Sequence, residues 1–301
     1  NKTSWLLHDR QKMKKIIILV PVFNDWESLT KLIKDVSFEL RELKNDKFKF
    51  VIINDGSTNS QPKIDKPKNI SSIKILNMKI NKGHALCIAY GIHYVLKNEE
   101  FDNLILMDGD GEDRPEEVLN LIEKNSKNLE RSVIAKRVKR SEGIIFKFFY
   151  QTHKLITIIF TGHNINFGNF TFLTKKDLIS LSNEPLLWKS YSASFKKNIK
   201  NFTFINSIRG KRFFGPSKMS FLKLIFHSLS IIAVFRRQVY FRSAILLIIF
   251  SYLGSILGSA IIVPQILIVL FCLVIFFVSF NRNDNNYEKS NANLNNINKI
   301  T

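Results

Sequence analysis

The chain is expected to fold as an α/β domain around a doubly wound, mostly parallel sheet, followed by amphipathic interfacial helices and a C-terminal transmembrane helical hairpin. Three observations carry that expectation. Short apolar runs alternate with helical stripes over the first half of the chain, aromatic and apolar segments studded with cations follow, and Ala244 to Phe280 is nearly free of charge.

Taken in order, Lys15 to Val22 is a continuous apolar run closed by Pro21 and the turn-forming Asn24-Asp25, as a parallel strand buried on both faces reads. Leu29, Leu32, Ile33, Val36, Leu40 and Leu43 recur at helical spacing, so a helix from Trp26 to Leu43 returns the chain to a second strand at Phe48 to Ile53. A polar, Pro- and Lys-rich loop after Gly56-Ser57-Thr58 leads to a strand at Ile73 to Met78. Ala85, Ile88, Ala89, Ile92 and Val95 form the next helical stripe, and Asn103 to Met107 a short buried strand running into Asp108. Pro115 opens a further helix with Glu116 and Glu117 in its first turn, where the helix dipole favours them.

Ile144 to Phe160 is apolar but carries Lys147, His153 and Lys154, and Phe221 to Phe235 is flanked by Lys218, Lys223, Arg236 and Arg237. Both read as helices lying along a membrane or domain surface and not as spans. Val239 to Phe280 is long enough for two spans, broken between Gly254 and Pro264, at about 20 residues per crossing. Arg236, Arg237 and Arg242 precede this hairpin while Arg282 and Lys289 follow it, which places both ends, and the catalytic domain, in the cytosol of a multi-pass cell-membrane protein. The expected divisions are therefore an N-terminal extension (1–14), an α/β domain (15–215), an amphipathic juxtamembrane segment (216–238), two transmembrane helices (239–280) and a disordered, Asn-rich tail (281–301).

A formal charge of +20 calls for a polyanionic neighbour. The uncharged stretch near the C-terminus favours an anionic membrane over nucleic acid, which is not expected as a partner. The first apolar run is too short for a secretory signal, and the first residue, Asn1, is expected of a chain that begins further upstream. Cys87 and Cys272 fall in different expected helices and read as reduced packing residues. His84, His93, His153, His163 and His227 lack metal-ligand spacing and read as packing or surface residues. Lys82-Gly83 falls short of a P-loop.

Acidic groups gather at strand carboxyl ends, where a doubly wound sheet binds ligands: Asn54-Asp55-Gly56-Ser57 after the second strand and Asp108-Gly109-Asp110 after the later one. Two carboxylates one residue apart suit a hard divalent ion shared with phosphate oxygens. Taken alone, the tripeptide fits a polar turn after a strand better than a metal site.

Together the segments resemble the GT-A fold of family 2 glycosyltransferases. The matching stretches are Val20-Pro21-Val22-Phe23-Asn24-Asp25, Ile53-Asn54-Asp55-Gly56-Ser57, Asn81-Lys82-Gly83-His84-Ala85 and Met107-Asp108-Gly109-Asp110. Further on, Arg137, Gly168-Asn169-Phe170 and Arg212-Phe213-Phe214-Gly215-Pro216-Ser217-Lys218 are similar to the polyprenyl-phosphate branch, which includes dolichyl-phosphate mannose synthases and bactoprenol glucosyltransferases. The resemblance implies a UDP- or GDP-linked sugar donor held by Pro21, Phe23, Asp25, Asp55, Asp108, Gly109 and Asp110. It implies Mg²⁺ or Mn²⁺ on Asp108 and Asp110, with Glu112 near the sugar or metal. Arg137, Arg212 and Lys218 are implied at the diphosphate and the acceptor phosphate. The catalytic set is then Asp108, Asp110, Glu112 and Arg137. The chain departs from the family pattern at Asp25 (usually Glu), Asn54 (usually Asp), Gly111-Glu112-Asp113, and Gly168-Asn169-Phe170-Thr171, where many bacterial members read Gly-Asp-Phe-Arg.

Three functions are compatible with these readings: inverting transfer to a membrane polyprenyl phosphate, extension of a glycan through a sugar hydroxyl with Asp113 or Glu112 as base, and a non-catalytic membrane scaffold. Besides donor, lipid acceptor and membrane, a second copy of the chain is a further candidate partner.

Overall fold

A computed structural model of the protein describes residues 13–128, 131–139, 144–216, 220–280 and 286–301. Strand β1 (Lys15–Val22) feeds helix α1 (Trp26–Glu39), which tightens into a 3-10 turn at Leu40–Glu42, so the helix expected to reach Leu43 ends in a narrower coil. Then follow β2 (Lys47–Asn54), β3 (Ile70–Met78), α2 (His84–Asn98), β4 (Asn103–Leu106), α3 (Glu116–Lys127) and β5 (Ser132–Lys139). The second half contains α4 (Ile144–Thr161), β6 (Phe167–Thr174), α5 (Lys175–Ser182), α6 (Tyr191–Asn198), β7 (Phe202–Ile208), α7 (Phe221–Ala233), α8 (Arg236–Leu257), α9 (Ile262–Phe280), α10 (Tyr287–Ala292) and β8 (Leu294–Ile300).

The eight strands form one sheet in the order β7-β5-β6-β4-β1-β2-β3-β8. β1, β2, β3 and β4 pair in parallel, as do β5 and β7, while β6 runs antiparallel to both β4 and β5. The uninterrupted apolar run of β1 has a simple cause: successive side chains point to opposite faces and both faces are covered. Ile17 and Leu19 join the core beneath α2, α5 and α6, whereas Ile16, Ile18 and Val20 join the core beneath α1 and α3. Each such buried side chain contributes about 1.5–3 kcal/mol relative to exposure. Because β1 lies centrally, its carboxyl end, with those of β2 and β4, opens onto one shared rim.

Helices α8 and α9 pack antiparallel. Val239 near the start of α8 shares a small core with Ile275 near the end of α9, and close to the bend Gln265 Nε2 donates to Ser251 Oγ at 2.9 Å. The bend itself falls between Leu257 and Ile262. Arg236 to Phe280 is long and apolar enough to cross a membrane, and only 11% of its most apolar window is buried within the protein. Lys189 of the α/β domain donates to the Val278 carbonyl at 2.6 Å, satisfying a free carbonyl in the last turn of α9.

The tail differs from expectation. Residues 281–285 lie outside the described set, but from Asn286 onward the chain forms α10 and then β8, which pairs antiparallel with β3. A strand that joins an existing sheet edge takes its backbone hydrogen bonds from that edge and needs little apolar content of its own. Composition therefore did not reveal it.

Candidate active site

The rim of the central strands is knitted together by its loops. Asn24, in the left-handed region at φ 51°, accepts from the Thr58 and Asn59 amides at 2.8 and 3.2 Å, and its own N–H donates to Ser57 Oγ at 2.8 Å. The turns after β1 and β2 thus form one floor. Pro21 lies at the end of β1, Phe23 stands 37% exposed above it, and Asp55 is buried beneath. The Asp55 carboxylate accepts from the Lys82 and Gly83 amides at 2.8 Å each. Burial nonetheless raises its pKa, and those two N–H groups only partly offset the effect.

Immediately after Gly83, His84 opens α2 and points to the other side of the rim. Its Nε2 lies 3.2 Å from Asp108 Oδ1 and 2.9 Å from Asn169 Nδ2, and Asn169 Nδ2 also donates to Asp108 Oδ1 at 3.3 Å. One short segment therefore links the Asp55 end of the cleft to the Asp108 end.

The acidic turn is held from both sides. The Asp108 amide donates to Asp113 Oδ2 at 2.9 Å, and the Glu112 amide donates to Asp110 Oδ1 at 3.0 Å. Asp113 is buried and its other oxygen faces Arg137 of β5 at 3.5 Å. Gly111 has φ +86°, and a Cβ there would meet the Phe213 ring at 2.7 Å, so only glycine allows this turn beneath that ring. Gly109 packs on the end of β1, close to the Pro21 carbonyl.

The segment following β7 closes over the turn. The Phe213 amide donates to the Asp110 carbonyl at 2.9 Å and the Gly210 amide to the Glu112 carbonyl at 2.8 Å. Arg209 pairs with Glu112 through Nε at 2.8 Å. Arg212 spans Asp25 at 2.6 Å and Asp110 at 2.5 Å, and its Nε is buried without a hydrogen-bond partner.

These contacts split the two central carboxylates. Burial opposes ionisation of Asp108, but His84, Arg137 and Asn169 outweigh it and hold the carboxyl down at about 2. Burial, and next the Asp108 charge, push Asp110 up to about 6, and the same two causes push Asp113 up to about 7. Such crowding of negative charge is relieved by a cation. Among the described residues no three His, Cys, Asp or Glu side chains converge into a cage. Two carboxylates are nevertheless a fitting donor set for Mg²⁺ or Mn²⁺ when substrate phosphates supply further oxygens.

Of the residues expected in the site, Asp25, Asp108, Asp110, Glu112, Arg137 and Arg212 gather around the acidic turn, and Pro21, Phe23 and Asp55 lie along the adjoining floor. Lys218 falls outside the described residues. Reading the histidines as packing or surface residues missed His84, and Arg209 and Asn169 were not singled out for contacts there. The position of His84 one residue after Gly83, at a helix start following a strand, was the available signal. His227 of α7 also borders this region. The pKa of its ring is lowered to about 4 by desolvation and by the neighbouring charges of His84 and His153.

A family model for glycosyl transferase family 2 matches residues 17–202, more than half of the chain. The chain belongs to that family. This family 2 glycosyltransferase is 26% identical over 250 residues to an uncharacterized glycosyltransferase of Synechocystis sp., covering 81% of the present chain and 74% of the relative. It is 23% identical over 229 residues to an undecaprenyl-phosphate 4-deoxy-4-formamido-L-arabinose transferase of Photorhabdus laumondii, covering 71% of the present chain and 66% of the relative, just under two thirds. In fold it is similar to glucosyl-3-phosphoglycerate synthase from Mycobacterium tuberculosis, solved with Mn²⁺, UDP-glucose and phosphoglyceric acid. The TM-score is 0.51 at 12% identity, over 75% of this chain and 80% of that one. The architecture of the present chain is thus GT-A, with a mostly parallel sheet and an apolar C-terminal helical region.

Proposed function

We propose that this glycosyltransferase moves a sugar from a UDP- or GDP-linked donor to a polyprenyl phosphate at the cytosolic face of the cell membrane, with inversion at the anomeric carbon. The observation that carries the reading is that the chain combines the acidic turn at the sheet rim with apolar, cation-flanked helices α4 and α7 packed on each other and onto the α/β domain. Ile231 of α7 packs with Ala193 of α6, and Ile232 of α7 shares a small core with Ile156 and Phe160 of α4. Helices α4 and α7 expose Leu155, Ile158, Ile159, Leu222, Ile225 and Phe226 outward. A lipid headgroup held at such a surface is brought to the rim without leaving the bilayer. The chain leaves the α/β domain at α8 and returns to it as β8, which supports a two-span anchor with both ends on the cytosolic side.

In this reading Pro21, Phe23 and Asp55 receive the nucleobase and ribose. Asp108 and Asp110 would hold Mg²⁺ or Mn²⁺, which supplies Lewis-acid stabilisation of the departing diphosphate. Arg212 is placed between Asp25 and Asp110, so its guanidinium meets the diphosphate where negative charge develops. Arg137, with its charge partly shared by Asp113, faces the acceptor phosphate.

A phosphate acceptor is already ionised near neutral pH and attacks without a strong base. A hydroxyl acceptor needs one, and both nearby carboxylates are engaged: Asp113 is buried against the Asp108 amide and Arg137, and Glu112 is paired with Arg209. That engagement favours the phosphate.

The test is to incubate membranes containing the protein with UDP- and GDP-sugars and Mg²⁺ or Mn²⁺, then to measure the mass and acid lability of the lipid product. The reading expects a sugar monophosphate lipid that mild acid cleaves. An acid-stable glycoside would overturn the acceptor assignment, and absence of turnover with every donor would overturn the transferase assignment.

A further inference from the structure

The C-terminal tail touches the nucleotide loops from outside the conventional site. β8 runs antiparallel to β3 with Asn77 opposite Asn296, and the register shifts between Asn77 and Met78, which lies opposite Leu294. Just before that irregularity, Asn293 grips the backbone of Ile80 at both of its polar groups. Its Oδ1 accepts from the Ile80 amide at 3.2 Å and its Nδ2 donates to the Ile80 carbonyl at 3.0 Å, while the Lys79 amide donates to the Asn293 carbonyl at 2.7 Å. Three hydrogen bonds thereby hold the first residues after β3.

What Asn293 holds is the segment that packs on Gly56 and leads into the amides bound to Asp55. Gly56 has φ +66°, and a Cβ on it would lie 2.7 Å from backbone atoms of Ile80 and Asn81, so the two loops are in direct contact. Two residues further on, the Lys82 and Gly83 amides donate to Asp55. A second line of contacts arrives from Asn296: Asn77 Nδ2 donates to Asn296 Oδ1 at 2.7 Å, Asn54 Nδ2 donates to Asn77 Oδ1 at 2.8 Å, and the Ser57 amide donates to Asn54 Oδ1 at 3.0 Å. Asn54 is one of the positions at which the chain departs from its family's usual Asp. Here its amide is what allows it to give one hydrogen bond to Asn77 and accept another from Ser57.

The tail is independently anchored, so these contacts have a fixed origin. Tyr287 stacks on Tyr90 with ring centroids 5.6 Å apart, Lys97 Nζ lies 3.9 Å from the centre of the Tyr287 ring, and Tyr90 Oη donates to Asn291 Oδ1 at 2.9 Å.

We infer that Asn293, at the junction of α10 and β8, and Asn296 of β8 are positioning residues of the donor site that set the height of the 80–83 loop over Asp55 and the shape of the 54–57 turn. This rests on the reading that these loops receive the nucleobase and ribose. The tail then couples the return of the chain from its apolar hairpin to donor binding.

The experiment uses full-length protein in membranes or detergent, with nucleotide binding measured by displacement of a fluorescent UDP or GDP analogue and turnover measured separately. Asn293→Ala should raise the donor KM and the nucleotide Kd by about five- to tenfold, as expected for losing two neutral hydrogen bonds, with little change in kcat or in the acceptor KM. Asn296→Ala should raise both constants by a smaller factor. Asn298→Ala is the control: on the same strand, its amide contacts only the Gln61 side chain among the hydrogen bonds described, and it should leave both constants unchanged. If Asn293→Ala leaves the donor KM unchanged, or raises the donor and acceptor KM equally, or if Asn298→Ala matches its effect, the positioning role is overturned. If unmodified protein turns over but no UDP or GDP analogue competes at the pocket, the nucleotide reading itself is what fails.

Discussion

The region proposed to hold the donor, from β1 to α3, and the region proposed to meet the acceptor, from α4 to α7, share a core but differ at their outer faces. In the first, seven of the eight residues of β1 are buried, and the functional groups hang from strand ends that the core holds still. In the second, only one of the seven residues of β7 is buried, while Leu222 and Phe226 of α7 are 67% and 62% exposed. The first half completes its packing within the protein. The second leaves apolar surface that a bilayer can cover. Under the proposed function the difference would separate two tasks: a nucleotide diphosphate needs rigid, oriented polar groups, whereas a lipid needs a surface along which it can approach.

The strongest challenge to this contrast is at the acidic turn. Asp110→Asn should lower kcat by at least about 10³-fold while leaving the circular dichroism spectrum and unfolding midpoint intact, because under the proposed function it would remove a ligand of the cation and not a packing group. Near-normal turnover would remove the donor half's claim to the chemistry.

Rigidity of that half can be probed at the opposite end of its strands. Glu99 receives Lys49 at 2.5 Å and also pairs with Lys74. Burial favours its neutral form, but the two lysines prevail and hold its carboxyl below the ordinary 4.5. Glu99→Ala leaves two cations without their partner and should cost about 3 kcal/mol in urea unfolding. The sign with pH follows. A carboxylate held low in the folded state contributes fully above its unfolded value near 4.5, and that contribution is lost as pH falls through the lower folded value. The difference between wild-type and mutant stability should therefore shrink on acidification. A difference that grew would refute the ion-pair account.

Arg212 joins the two halves, since it comes from the segment after β7 and contacts Asp25 and Asp110. Arg212→Ala should reduce kcat/KM by about 10- to 100-fold, the scale of one hydrogen-bonded charge pair. Arg212→Lys should recover only part, because a point charge does not reproduce the two-pronged contact. The smallest effect is expected on the lipid side: Phe226→Ser should raise the apparent KM for a long-chain lipid acceptor by a few-fold, about one partly buried side chain's worth, and leave the donor KM alone. A shift in the donor constant instead would blur the boundary between the halves.

Much of this was legible in the residues themselves. The strands from β1 to β4, their apolar runs and the loops that carry Asp55 and Asp108 follow from local periodicity and turn chemistry, because a strand buried on two faces leaves an unmistakable apolar block. The bend of the apolar hairpin was bracketed for a similar reason. What stayed hidden depends on contacts distant along the chain. His84 meets Asp108 only because α2 starts at the same rim, and Arg209, which was not expected there, reaches Glu112 across about a hundred positions. The Asn-rich tail carries no apolar pattern at all. Its order comes from β3, whose free edge supplies the hydrogen bonds, and from Tyr90, which supplies a ring to stack upon.

The order of residues by itself determined the elements from β1 to α3, the acidic turn and the apolar C-terminal region, since these are encoded by neighbours within one or two turns of chain. Only the tertiary structure decided which charges face one another and where the tail rests. Those outcomes depend on distances between remote segments, and these distances exist only once the sheet has brought the segments together.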